Sequence, residues 1–263
     1  MGWLSWRGRV LKDLFVISDI HGQMSMLKDL LTHWDPEKEL LIINGDMVDR
    51  GENPFETVKF IHDMKESNPQ SIIVLKGNHE ELFLKWLDSP ADYSSHYMCC
   101  GGLQTVDSFL NQRKQITELS SEVLMAEAIQ TGFPEIIHFL QDLPIYHEHG
   151  KYVIVHAGVR LKDNEHWRET QSNVMLWIRD DFFSETVPNK TEKVFIFGHT
   201  PTYGIYNGTS TDIWVSNCQT KVGIDGGAVY GGTLNGLKID METGTFKSIQ
   251  IRHPYLKEYI DEN

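Results

Sequence analysis

A chain of 263 residues, 40% hydrophobic and 23% charged, has the composition of a folded globular protein with a sizeable core, which excludes a disordered or fibrous chain. Its formal net charge of −13 disfavours a broad surface for nucleic acid polymers unless bound cations reverse the local sign. The 3 cysteines, Cys99, Cys100 and Cys218, do not make the even, spaced framework of a disulfide-stapled secreted domain, and a reducing compartment fits them better.

The opening segment "MGWLSWRGRVLKD" lacks the apolar core and small-residue cleavage site of a signal peptide. No run approaches the roughly 20 apolar residues of a membrane span, so a cytoplasmic location away from membranes is expected. Short apolar runs rich in β-branched residues then read as buried strands: "LFVIS" before Asp19, "ELLIIN" before Gly45 and "SIIVLK" before Gly77. Helical patterns, "QMSMLKDLLTHW" and "PFETVKFIHDMKES", separate them, which is an α/β signature. From about 80 to 142 the strand signal gives way to helical spacing, read as a helical insertion. Two more strands follow, "KYVIV" before His156 and "KVFIF" before Gly198, with "SETVPNKTEK" a surface loop between them. The Gly-rich "VGIDGGAVYGGTLNGLKIDMETGTFKSIQI" reads as hairpins that finish a second sheet. Residues 1–263 are read as one domain, and nothing in them specifies an oligomer.

Each of the five strands is followed at once by residues of types that can bind metal or phosphate. These are Asp19 and His21, then Asp46 with Asp49 and Arg50, then Asn78 and His79, then His156, then His199. One such strand end is ordinary, but five suggest a shared crevice, because ligands of α/β sheets gather beyond the carboxyl ends of strands. Carboxylate and carboxamide oxygens with imidazole nitrogens suit two divalent ions, manganese first, with iron or zinc as alternatives. Two ions about 3.5–4 Å apart, bridged by one carboxylate, can hold a hydroxide and clamp an in-line displacement at phosphorus. Such a centre needs about six protein ligands, and Asp19, His21, Asp46, Asn78, His156 and His199 supply them, with Asp46 the natural bridge. His79 would then protonate the departing alkoxide, Asp49 would orient its ring, and Arg50 would grip phosphoryl oxygens. Tyr230 is expected to pack under the cleft rather than line it.

The blocks "SDIHG", "GDMVDRG", "GNHE", "HAG" and "GHT", in that order, resemble the signature blocks of the PPP-type serine/threonine phosphatases among the calcineurin-like metallophosphatases. "MLWIRDDFF" resembles the family's tryptophan and arginine block, which implies that Arg179 binds phosphate. "GGLQT" is similar to a Gly-Gly block of bacterial members, but Cys100 stands where those have Asn, and that loop is assigned no catalytic role. The resemblance implies a β-sandwich of two mixed sheets flanked by helices. It implies Asp19, His21 and Asp46 on a first metal, Asp46, Asn78, His156 and His199 on a second, and His79 with Asp49 as the acid pair. The implied activity is hydrolysis of phosphoserine and phosphothreonine in proteins. The alternative is cleavage of a dinucleoside polyphosphate such as diadenosine tetraphosphate, since bacterial enzymes of that kind share the five blocks. A non-catalytic scaffold would be favoured by a missing ligand, and none of the six is missing.

Overall fold

The computed structural model describes residues 12–112, 121–161 and 166–254. The expectations drawn from the opening segment fall mainly on residues 1–11, outside the described residues, and residues 113–120 of the helical insertion also lie outside them. The first strands and helices alternate: β1 (Asp13–Ile17), α1 (Met24–Leu31), β2 (Glu39–Asn44), α2 (Pro54–Ser67) and β3 (Ile72–Leu75). A helical stretch follows, with α3 (Asn78–Asp88), α4 (Pro90–Tyr97), α5 (Leu103–Asn111), α6 (Glu122–Gly132) and α7 (Pro134–Gln141). Next come β4 (Tyr146–His149), β5 (Tyr152–Val155), α8 (Ser172–Trp177), α9 (Asp180–Phe183), β6 (Val194–Phe197) and α10 (Thr202–Ile205). The chain closes on β7 (Trp214–Val215), β8 (Lys221–Gly223), β9 (Thr233–Ile239) and β10 (Phe246–Arg252).

Two five-stranded mixed sheets result, ordered β10-β9-β1-β2-β3 and β4-β5-β6-β8-β7. Strand alternation explains their stacking. In β1, Leu14 and Val16 meet Tyr152, Ile154 and Ile196 of the second sheet, whereas Phe15 and Ile17 face away onto Leu27 and Leu30 of α1 and Val58 of α2. The second sheet repeats the pattern, turning Val153, Val155, Phe195 and Phe197 outward onto Trp167, Phe182 and Trp214. Both faces of these strands are therefore dry, which is why they read as unbroken apolar runs. Each fully buried side chain of this kind is worth roughly 1.5–3 kcal/mol.

The C-terminal reading needs one correction. Only β7 and β8 join the second sheet; the β9–β10 hairpin completes the first, with β9 antiparallel to β1 in the register Leu14↔Ile239 to Ile17↔Gly236. Gly236 makes this possible, because a Cβ there would press into the Phe15 ring. The parallel strands β1, β2 and β3 of one sheet and β5 and β6 of the other end at the same edge, where Asn44 Nδ2 at the end of β2 donates across to the Val155 carbonyl at 3.1 Å. No helix among the described residues is long and apolar enough to cross a membrane.

Candidate metal centre

The strand ends bring the expected side chains together around Asp46. Its Oδ2 lies 3.5 Å from His21 Nε2 and 3.9 Å from His79 Nε2, while its Oδ1 lies 3.4 Å from His156 Nε2. One carboxylate thus faces two nitrogen groups with different oxygens. Asn78 Oδ1 sits 2.8 Å from both His156 Nε2 and His199 Nδ1. Two clusters of donors close enough to share an ion follow, one of His21, Asp46 and His79 and one of Asp46, His156 and His199. Asp19 stands beside them rather than inside either cluster: both its oxygens accept the His199 backbone N–H at 3.0 Å, and Ser18 Oγ donates to Oδ2 at 2.5 Å.

The backbone sets which ring nitrogen faces Asp46. His21 Nδ1 donates to the Val48 carbonyl at 2.7 Å and His156 Nδ1 to the Asn44 carbonyl at 2.9 Å, so each presents Nε2 to Asp46. A carbonyl on the far nitrogen is the usual support of a metal-binding histidine. Glycines make the approach possible: a Cβ on Gly77 would collide with Asp46 Oδ1, and one on Gly198 with Asp19 Oδ2 and Ser18 Oγ.

Electrostatics centre on the ionised Asp46 carboxylate. Burial opposes charge on His156, but the Asp46 carboxylate outweighs it and holds the imidazole up to about 10. Asp46 itself stays well below the usual carboxylate range, since His156 and His79 overcome its burial. Burial, then neighbouring His156 and Arg179, push His199 down to about 2, and burial with His79 pushes His21 well down. Neutral imidazoles with an available lone pair are the ligand form. His199 Nε2 is buried without a hydrogen-bond partner. The oxygen and nitrogen donor set, the supported rings and this orphaned nitrogen all fit divalent ions.

His79 and Asp49 form a separate pair, with Nδ1 to Oδ2 at 2.6 Å. Burial works against charge on His79, but Asp46 and the Asp49 hydrogen bond prevail, so its pKa is raised. Asp49 is fully buried, and its Oδ1 accepts from Tyr97 Oη at 2.8 Å and Thr105 Oγ1 at 2.5 Å. Arg50 donates its backbone N–H to the Gly101 carbonyl at 3.0 Å, and its Nη1 lies 2.6 Å from His21 Nε2. Arg179 Nη1 donates to Thr200 Oγ1 at 2.7 Å and to the His199 carbonyl at 3.2 Å. Both arginines line a cleft of about 250 Å³ together with Asp19, His21, His199 and Asp225. A larger groove of about 870 Å³ opens beyond Trp177, whose ring stands edge-on to His199 at 6.0 Å; none of the metal-cluster donors lines it.

Three features went unread in the sequence. Glu80, the last residue of "GNHE", accepts the backbone N–H of Asp46, Met47, Val48 and Gly77 at 2.7–3.3 Å, and so shapes the whole Asp46 loop. An acid three residues after a glycine that precedes a helix was the available signal. The "GGLQT" loop, assigned no role, supplies Gly101 to Arg50 and Thr105 to Asp49, so its support is mechanical and independent of Cys100. Tyr230, expected to pack, is 59% exposed at the cleft, with the Arg50 guanidinium 5.4 Å from its ring centre.

Comparison with known proteins identifies the family. The chain is 26% identical over 234 residues to serine/threonine-protein phosphatase 2 of Salmonella typhimurium, covering 87% of this chain and 93% of that one. It is equally 26% identical over 268 residues to the asymmetrical bis(5'-nucleosyl)-tetraphosphatase PrpE of Halalkalibacterium halodurans, covering 92% and 96%. A crystal structure assigned as a diadenosine tetraphosphatase superposes with a TM-score of 0.60 at 16% identity, covering 92% of this chain and 95% of that one, a likeness of fold alone. The sequence pattern of the calcineurin-like phosphoesterases matches residues 13–233, and the chain belongs to that family of metallophosphoesterases.

Proposed function

We propose that this phosphoesterase is a phosphomonoesterase that dephosphorylates phosphoserine and phosphothreonine in proteins. The observation that carries the reading is Asp46, whose two oxygens face separate nitrogen groups. Asp19, His21 and Asp46 would hold one divalent ion, and Asp46, Asn78, His156 and His199 a second, with manganese first and iron or zinc as alternatives. Ions so held supply Lewis acidity and lower the pKa of bound water. The remaining steps belong to the chain itself. Arg50 and Arg179 grip the dianionic phosphoryl oxygens with charge-assisted hydrogen bonds. His79, held by Asp49 through Nδ1, gives its Nε2 proton to the departing serine oxygen. Tyr97 and Thr105 keep Asp49 from turning away.

The second reading, hydrolysis of a dinucleoside tetraphosphate, is favoured by the relative of that name, which matches 92% of this chain against 87% for the phosphatase. Turnover of a phosphoserine peptide and of diadenosine tetraphosphate with Mn²⁺ decides between them. A higher kcat/KM on the peptide is expected, and a preference for the dinucleotide on the order of a hundredfold would overturn the choice. Asp46→Asn should abolish both activities; if either survives, Asp46 is not the bridge.

A further inference from the structure

Arginine has many rotamers, and the usual restraint on a guanidinium that must meet its ligand in one orientation is a carboxylate. Arg50 is held differently. Its stem lies against the backbone of Gly101, where an added Cβ would press into Arg50 Cγ, and its backbone N–H donates to the Gly101 carbonyl. Among the described residues, its guanidinium meets an imidazole and an aromatic ring: Nη1 lies 2.6 Å from His21 Nε2, and Cζ lies over the Tyr230 ring, 5.4 Å from its centre. A carboxylate partner would occupy the N–H donors that a phosphate needs. A ring face attracts the cation and leaves those donors unspent.

Tyr230 is presented to the cleft by a stiff loop. It ends a short helical turn, Ala228–Tyr230, with glycines in left-handed backbone on either side, Gly227 at φ 69° and Gly231 at φ 87°. The Gly227 carbonyl accepts the N–H of Tyr230 at 2.9 Å and that of Gly232 at 3.0 Å, while Ala228 is anchored in the core. The Tyr230 side chain itself packs into none of the apolar clusters; it is 59% exposed and lines the cleft beside both arginines. Core packing therefore does not account for a ring at this position, and the guanidinium contact does.

Resting on the reading of Arg50 as a phosphate-binding group, we propose that Tyr230 is a positioning residue for that arginine. Its ring face and the Gly101 backbone hold Arg50 from two sides, so that the guanidinium meets the phosphoryl oxygens already oriented. Orientation fixed before binding spares the cost of fixing it on binding. The aromatic face does this work, and the hydroxyl is not required for it.

The test compares the full-length wild type with Tyr230→Phe, Tyr230→Leu, Arg50→Ala and the Tyr230→Leu, Arg50→Ala double variant. The readouts are hydrolysis of p-nitrophenyl phosphate with Mn²⁺ and competitive inhibition by inorganic phosphate. Tyr230→Phe keeps the ring and should stay within about twofold of wild type. Tyr230→Leu should raise the phosphate Ki and lower kcat/KM, each by about tenfold, at an unchanged urea midpoint. Should the leucine variant fold poorly, Tyr230→Gln takes its place with the same expected losses. In the Arg50→Ala background, Tyr230→Leu should cost nothing further, because the residue acts through the arginine. An unchanged Ki in Tyr230→Leu overturns the inference. So do equal losses in the phenylalanine and leucine variants, which would place the effect in the hydroxyl. A loss that persists without Arg50 also overturns it, by making Tyr230 a direct contact of the substrate. If Arg50→Ala leaves the phosphate Ki unchanged, the reading of Arg50 falls and takes the inference with it. None of these readouts depends on whether a phosphopeptide or a dinucleotide is preferred, so the choice of substrate stands or falls separately.

Discussion

Asp19, His21, Asp46, Asp49, Arg50 and His199 all have positive φ, and among the other described non-glycine residues only Asn207 and Gln219 share it. Left-handed backbone is disfavoured for side-chain-bearing residues, so its gathering at one cleft marks conformations imposed by the fold around them. His79, proposed above as the acid, is the cleanest place to test the chemistry. His79→Asn should cost about 10²–10⁴ in kcat on a phosphoserine peptide and far less on p-nitrophenyl phosphate, whose leaving group needs no proton. Equal losses on both substrates would remove His79 as the acid. The sign of its pH dependence follows from its raised pKa: the protonated form persists above the ordinary histidine range, and activity falls as pH rises through the folded value. Asp49→Asn takes away one support of that charge, so the alkaline limb on phosphoserine should move to lower pH.

At the scale of elements, helix α3 does more than carry Asn78 and His79 on its first turn. Its Glu80 reaches back to four backbone N–H groups, tying the start of α3 to the loop after β2. Glutamine cannot replace it, because the amide would turn an N–H donor towards one pair of those donors. Glu80→Gln should lower unfolding free energy by about 2 kcal/mol in urea titration, with weakened metal uptake from a loosened Asp46. An unchanged midpoint would show that the loop holds itself. This interaction was hidden in the sequence because a carboxylate accepting from backbone leaves no partner side chain to notice. The turn between α4 and α5 was hidden for a similar reason: Tyr97 and Thr105 reach Asp49 only after the helices fold back, and their spacing from it along the chain is large. By contrast, the strands β1, β2, β3, β5 and β6 were legible because both their faces are buried, leaving unbroken apolar runs. β4, with the sequence YHEH, and β7, two residues long, gave no such run.

Across the whole molecule, ten of the residues singled out in the sequence do meet at one edge of the sandwich, because the parallel strands of both sheets end there. Which sheet received the C-terminal hairpin was not legible, since a Gly-rich strand pairs wherever a neighbour such as Phe15 needs room. The assembled site also makes stability depend on its charge. With metal removed, His156 holds a proton with its pKa raised from 6.5 to about 10, so its contribution is fully present below 6.5 and lost as pH rises through 10. Thermal melts of chelated protein should therefore fall over that window. Manganese at 100 times its Kd should add about 2.7 kcal/mol at neutral pH, and less as acid competes for the ligands. Chelated protein whose melting point does not move between those pH values would contradict the Asp46–His156 charge pair.

The His199 backbone N–H reaches the Asp19 carboxylate across 180 positions of the chain. That one contact orders events in time. Donors from the first sheet can gather early, but the second group needs β5 and β6 made, paired and docked, and contacts of such sequence separation close late in folding. A chain emerging from the ribosome has Asp19, His21 and Asp46 outside long before His199. Ion binding by the proposed second group would thus report that both halves have found each other.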